Sequence, residues 1–227
     1  MANTLFDELR SFSETGFREI YQKFIYIHCR ELLDMILPRE LDGSITGLVA
    51  YCYIDRTAGL SFRPVMIASV KERNLQVFTF PHMDDTLYIL RLGDGAVDPD
   101  KYRFFDMSVV GFDTEPFREM KEDIDSTYSA GEMVEYLRSG KAAFLDKYRN
   151  PYFPDDVQAL LVNDENMAEQ VWVRLTFITE DGEIFGELLN EPYRDQGCHE
   201  GDMIEIEEMG VQDKTALVFT GRIAERR

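Results

Sequence analysis

From Glu169 to Glu208 apolar and polar residues alternate along the chain. Val171, Val173, Leu175 and Phe177 fall on every second position, with Trp172, Arg174 and Thr176 between them. That is the period of a strand with one face buried. Asp181-Gly182 reads as a hairpin turn, because glycine accepts a positive φ. The next strand places Ile184, Gly186 and Leu188 on one face, and a glycine in mid-strand marks a bulge or a close backbone approach. Asn190-Glu191-Pro192-Tyr193 ends it, since Pro192 has no N–H for a ladder and Asn190 can bond nearby backbone. Gly201-Asp202 is a further turn. Met203 to Glu207 then points Ile204 and Ile206 inward and leaves Glu205 and Glu207 in water. With Thr215 to Thr220, four short strands predict a curled antiparallel sheet or small barrel.

Upstream the period changes. Thr4 to Phe12 predicts a short helix. Phe17 to Leu37 carries Phe17, Ile20, Tyr21, Phe24 and Ile27 at helical spacings, which predicts a long helix stopped by Pro38. His28-Cys29 would sit inside it. Gly47 to Ile54, Phe62 to Val70 and Leu75 to Phe80 read as an antiparallel meander. Asp84 or Asp85 caps a helix running to about Leu92. Arg103 to Phe112 reads as a strand, and Glu115 to Asp125, Gly131 to Tyr148 and Asp155 to Asn163 as helices. Helices and strands are segregated, so the class is α+β. The expected domains are an α+β domain over 1–164 and a small β domain over 165–227.

At 227 residues and 44% hydrophobic content the chain can bury a sizeable core. A net charge of −19 argues against nucleic acid and anionic membranes as partners and favours a basic protein. Between Glu180 and Glu208 there are 11 acids and one base, Arg194. The residues expected to meet a partner are therefore Trp172, Glu187, Glu191, Glu205 and Glu207. Gly186, Asn190, Pro192, Gly201 and Asp202 are turn residues. Three scattered cysteines give no disulfide framework, the N-terminus is acidic, and no apolar run is long enough to span a bilayer. A cytoplasmic location follows as an expectation.

Candidate chemistry is sparse. His28, His82 and His199 lack metal-ligand spacing, and His82 with Asp84 and Asp85 would need distant help to hold an ion. The acidic loop Asp94 to Asp100 lacks the order of a calcium loop. No nucleophile elbow or phosphate-binding loop occurs. Asp84-Asp85 and Asp155-Asp156 could do acid–base work only if buried together, and both read as helix starts. No cofactor is expected.

Trp172-Val173, G-E-L-L-N-E-P at 186–192 and Gly201-Asp202, in this order and spacing, resemble a bacterial domain of unknown function, family 2314, related to immunity-type modules of polymorphic toxin systems. The likeness covers about Asn166 to Ile223 and carries over no catalytic residue. Taken with the acidic C-terminal stretch and the sparse chemistry, it leads to the expectation of a bacterial, non-catalytic binding protein whose partner is a basic protein such as a toxin. The alternative expectation is a hydrolase or metal-dependent enzyme with its site near His82.

Overall fold

A computed structural model describes residues 4–36, 43–72, 74–79, 89–94, 98–162, 168–211 and 214–224. The chain is α+β and divides into two compact units, Met1–Ser129 and Ala130–Arg227. The first contains β1 (Arg10–Ser11), α1 (Phe17–Ile20), β2 (Phe24–His28), α2 (Arg30–Ile36), β3 (Gly47–Asp55), β4 (Gly59–Lys71), β5 (Asn74–Thr79), β6 (Leu90–Arg91), β7 (Arg103–Asp106) and α3 (Arg118–Thr127). Its antiparallel sheet runs β1-β7-β2-β3-β4-β5, with β6 paired to β4. The expected meander is β3, β4 and β5. On one face Met120, Ile124 and Tyr128 from α3 and its end pack against Phe24, Tyr51 and Tyr53. The buried Tyr51 hydroxyl donates to Asp125 at 2.6 Å.

The long helix expected over Phe17 to Leu37 does not form. Gln22 takes φ 57°, which ends α1, and the chain enters the sheet as β2. Ile25, Tyr26 and Ile27 are fully buried between β3 and β7. A central strand covered on both faces is a continuous apolar run, and such a run also satisfies helical spacing. His28 consequently ends a strand. Thr4 to Phe12 gives only a 3-10 turn, Leu5–Glu8, followed by β1. The strand expected to reach Phe112 stops at Asp106, whose carboxylate accepts from Ser108 N–H at 2.9 Å and caps a 3-10 turn, Met107–Val110. Asp84 and Asp85 lie outside the described residues, and the end of the helix expected there, Leu90–Arg91, is strand.

The second unit contains α4 (Glu132–Arg138), a 3-10 stretch (Gly140–Tyr148), β8 (Asp156–Val162), β9 (Ala168–Ile178), β10 (Ile184–Leu188), β11 (Met203–Val211) and β12 (Lys214–Ile223). The single helix expected over Gly131 to Tyr148 is thus broken, with Ser139 in extended conformation after α4. The five strands close into a barrel in the order β10-β11-β12-β8-β9. Every pair is antiparallel except β12 with β8. Closure gives each of the five strands a partner on both sides, with β12 meeting β8 at Leu217–Ala159 and Val218–Leu160. Val157, Leu161, Val171, Val173, Leu175, Leu188, Ile204, Ile206 and Leu217 fill the interior, with Leu137 of α4.

Four of these strands are those expected. The fifth, β8, replaces the helix expected over Asp155 to Asn163. Val157, Ala159 and Leu161 face inward with Gln158 and Leu160 less buried, but the apolar Leu160 blurs the alternation. The expected junction at 164/165 falls between β8 and β9, two paired strands of this unit.

Gly186 stands at a bulge, as its mid-strand position suggests. Leu175 pairs with Gly186 and Phe177 with Phe185, so Thr176 is the extra residue on β9. This turns Phe177 away from the core it was expected to join, and Ile178 packs there instead. A Cβ on Gly186 would lie 2.5 Å from Val173 Cγ1 and 2.7 Å from the Arg174 carbonyl oxygen.

Candidate functional site

The residues that carry the resemblance meet at one corner of the barrel. Trp172 N–H donates to Asn190 Oδ1 at 2.8 Å, and Leu189 N–H donates to the Trp172 carbonyl at 2.9 Å. Asn190 therefore extends the β9–β10 ladder by one bond where the chain turns away. Leu188 and the Gly201-Asp202 turn exchange two backbone bonds, of 2.8 and 2.9 Å. Gly201 adopts φ 84°, a conformation that glycine takes without strain. Asp202 accepts from His199 N–H at 2.8 Å, and Pro192 is buried beneath the loop. Tyr193 next to it is almost wholly exposed, at 97%. Trp172 is half-buried on the outer side of β9, opposite Gln158 of β8.

The acids expected to face a partner fall into two groups. Glu187 on β10 pairs with Met203, and Glu205 on β11 pairs with Phe185, so the two carboxylates are diagonal neighbours on the outer wall. Glu207 follows two positions along β11 on the same side. Glu205 is already engaged: it accepts from Thr220 at 2.9 Å and lies 3.7 Å from Arg222. Glu187 and Glu207 are exposed and make no hydrogen bond or ion pair among the described residues. Glu191 belongs to the corner loop instead, where its carboxylate accepts from Glu200 N–H at 2.9 Å and pairs with His199 at 2.8 Å.

That pair sets a pH dependence. Glu191 raises His199 above the ordinary imidazole value, and His199, with the Glu200 N–H, holds Glu191 below the ordinary carboxylate value. The pair's stabilisation is complete between those two ordinary values. It fades as pH rises through the raised His199 value and as pH falls through the lowered Glu191 value. Glu191→Gln is expected to lower the His199 titration midpoint, read from its ring protons by NMR. An unmoved midpoint would mean that the pair does not form in solution.

The acids expected at a helix start are buried in strand β8 and the turn before it. Arg138 Nε and Nη bind Asp155 at 2.9 and 2.7 Å, and Arg174 binds Asp156 at 2.8 and 3.0 Å. Each carboxylate thus faces its own guanidinium, and Asp156 with its hydrogen bonds raises Arg174 above its usual value. Both oxygens of each carboxylate are committed to a guanidinium, an arrangement that suits a structural ion pair. Cys29, Cys52 and Cys198 are free and buried, and burial pushes the Cys198 thiol up to about 11. A raised thiol is a poor nucleophile at neutral pH.

Among the described residues no three His, Cys, Asp or Glu side chains are placed to hold a metal ion. His82, with Asp84 and Asp85, lies outside those residues. No helix of the described residues is long and apolar enough to cross a membrane. Sequence reasoning missed Arg222, which binds Glu183 at 2.7 Å and lies 5.4 Å from the centre of the Phe185 ring. The alternation of Thr220 and Arg222 along the last strand marks them as outward, but their partners depend on the strand register. Comparison of the chain with known protein families, with curated proteins and with solved structures finds no match.

Proposed function

We propose that the protein is a non-catalytic binding protein of the bacterial cytoplasm, whose barrel is of the family-2314 type and of immunity-like role. On this reading the outer wall of the barrel docks on a basic partner protein such as a toxin. The observation that carries it is the placement of Glu187 and Glu207. Both project from the same wall: Glu207 forms no ion pair among the described residues, and Glu187 stands across from Arg174, whose guanidinium is already bound by Asp156, while neighbouring Glu183 and Glu205 are held by Arg222. An exposed carboxylate that no hydrogen bond ties down can pair with an incoming lysine or arginine and speeds encounter with a positive surface. The net charge of −19 strengthens that steering at long range.

The test compares the tagged wild-type chain with a Glu187→Lys, Glu207→Lys variant in capture from lysate of the source cells. One basic protein is expected on the wild type at about 0.1 M salt and absent at about 1 M, where the screening length falls from about 10 to about 3 Å. The variant is expected to capture none of it. Capture that ignores both salt and charge reversal would remove the proposal.

A further inference from the structure

Beside Glu187 the outer wall of the barrel carries a groove of about 1100 Å³. Phe177, Phe185, Met203 and Ile223 supply apolar lining, and Glu187 and Arg222 the charged lining. The groove exists because of the bulge opposite Gly186. The extra residue on β9 turns Phe177 outward, where it stacks on Phe185 at 4.8 Å between ring centres. Ile223 at the end of β12 is 40% exposed, so part of this apolar surface faces water.

The groove already contains one cation, and its surroundings are informative. Arg222 sits over the Phe185 ring and is held by Glu183 at 2.7 Å and Glu205 at 3.7 Å. An aromatic face together with carboxylates is a seat that suits a guanidinium or ammonium group. Glu183 and Glu205 form the seat that Arg222 fills, while Glu187 is exposed and faces Arg174, which Asp156 already binds. With Arg174 across from Glu187 and bound by Asp156, the local balance is four carboxylates to two guanidiniums, a negative rim beside an apolar floor. A second copy of this chain, itself carrying −19, is repelled from that rim, as is any anionic headgroup.

We infer that the groove accepts a segment of a partner protein in which a bulky apolar residue is flanked by lysine or arginine. The apolar side chain covers Ile223, Met203 and Phe177, and the flanking cation meets Glu187. This deepens the binding-protein reading above and rests on it. It also adds a requirement that charge alone does not impose, because binding energy concentrates where an apolar side chain is desolvated in a pocket.

The probe is the acetylated, amidated peptide Lys-Lys-Phe-Leu-Lys-Lys, titrated into the full chain labelled at isoleucine and methionine methyls and followed by NMR. Hexalysine serves as the purely cationic comparison. Shifts at Ile223 and Met203 are expected, with affinity about tenfold above that of hexalysine, the effect of about 1.4 kcal/mol. Ile223→Ser is expected to remove that difference, and Glu187→Gln to weaken both peptides several-fold. Equal binding of the two peptides would overturn the groove and leave the acidic docking face standing. Binding of neither would also overturn it, and the capture experiment would then decide the wider reading alone.

Discussion

Replacing Arg138 with alanine is expected to destabilise the C-terminal unit by about 3–5 kcal/mol, the usual cost of leaving one member of a buried ion pair without the other. The side chains of Arg138 and Asp155 are 1% and 4% exposed. The guanidinium meets both carboxylate oxygens of Asp155 and also donates to Glu135 at 2.7 Å. Without it, buried Asp155 loses the guanidinium that meets both of its oxygens. An Arg138→Met, Asp155→Leu double variant is expected to recover much of the loss, since a well-packed apolar pair avoids the desolvation cost. Urea unfolding followed by fluorescence measures this directly, because Trp172 is the one tryptophan in the chain and lies in the barrel. A loss below about 1 kcal/mol, the range of exposed pairs, would mean that water enters the site.

Gly186→Val is the second large effect. Its Cβ would meet Val173 Cγ1 at 2.5 Å and the Arg174 carbonyl at 2.7 Å, and the second contact is backbone that a rotamer change cannot relieve. Overpacking of this kind costs about 1–3 kcal/mol, and the upper end is expected where a ladder must shift. Gly210→Val in the neighbouring strand β11 is the comparison, because nothing lies within 4 Å of a Cβ there. It is expected to be nearly neutral in the same urea experiment. Equal effects at both positions would show that the bulge tolerates a side chain.

What could be read from the sequence follows from which elements have one wet face. β9, β10 and β11 alternate inward and outward, so their strands, turns and outer carboxylates Glu187, Glu205 and Glu207 were legible. β2 is covered on both faces, and its run Ile25-Tyr26-Ile27 fits a helix as well as a strand. β8 was hidden by Asp155-Asp156, which resemble a helix cap. Their real partners are Arg138 and Arg174, 17 and 18 positions away, beyond any local window. The groove was invisible for a related reason. Phe177, Phe185 and Arg222 come together only through one bulge and the register of three neighbouring strand pairs, and alternation alone sends Phe177 to the wrong side.

The parallel contact of β12 with β8 joins the last strand of the barrel to its first. During synthesis the ring therefore stays open until residues 214–223 have left the ribosome. Until then β8 and β11 each present an unsatisfied row of amide and carbonyl groups to other nascent chains. The acids along β11 give that temporary border a charge that discourages pairing with another copy.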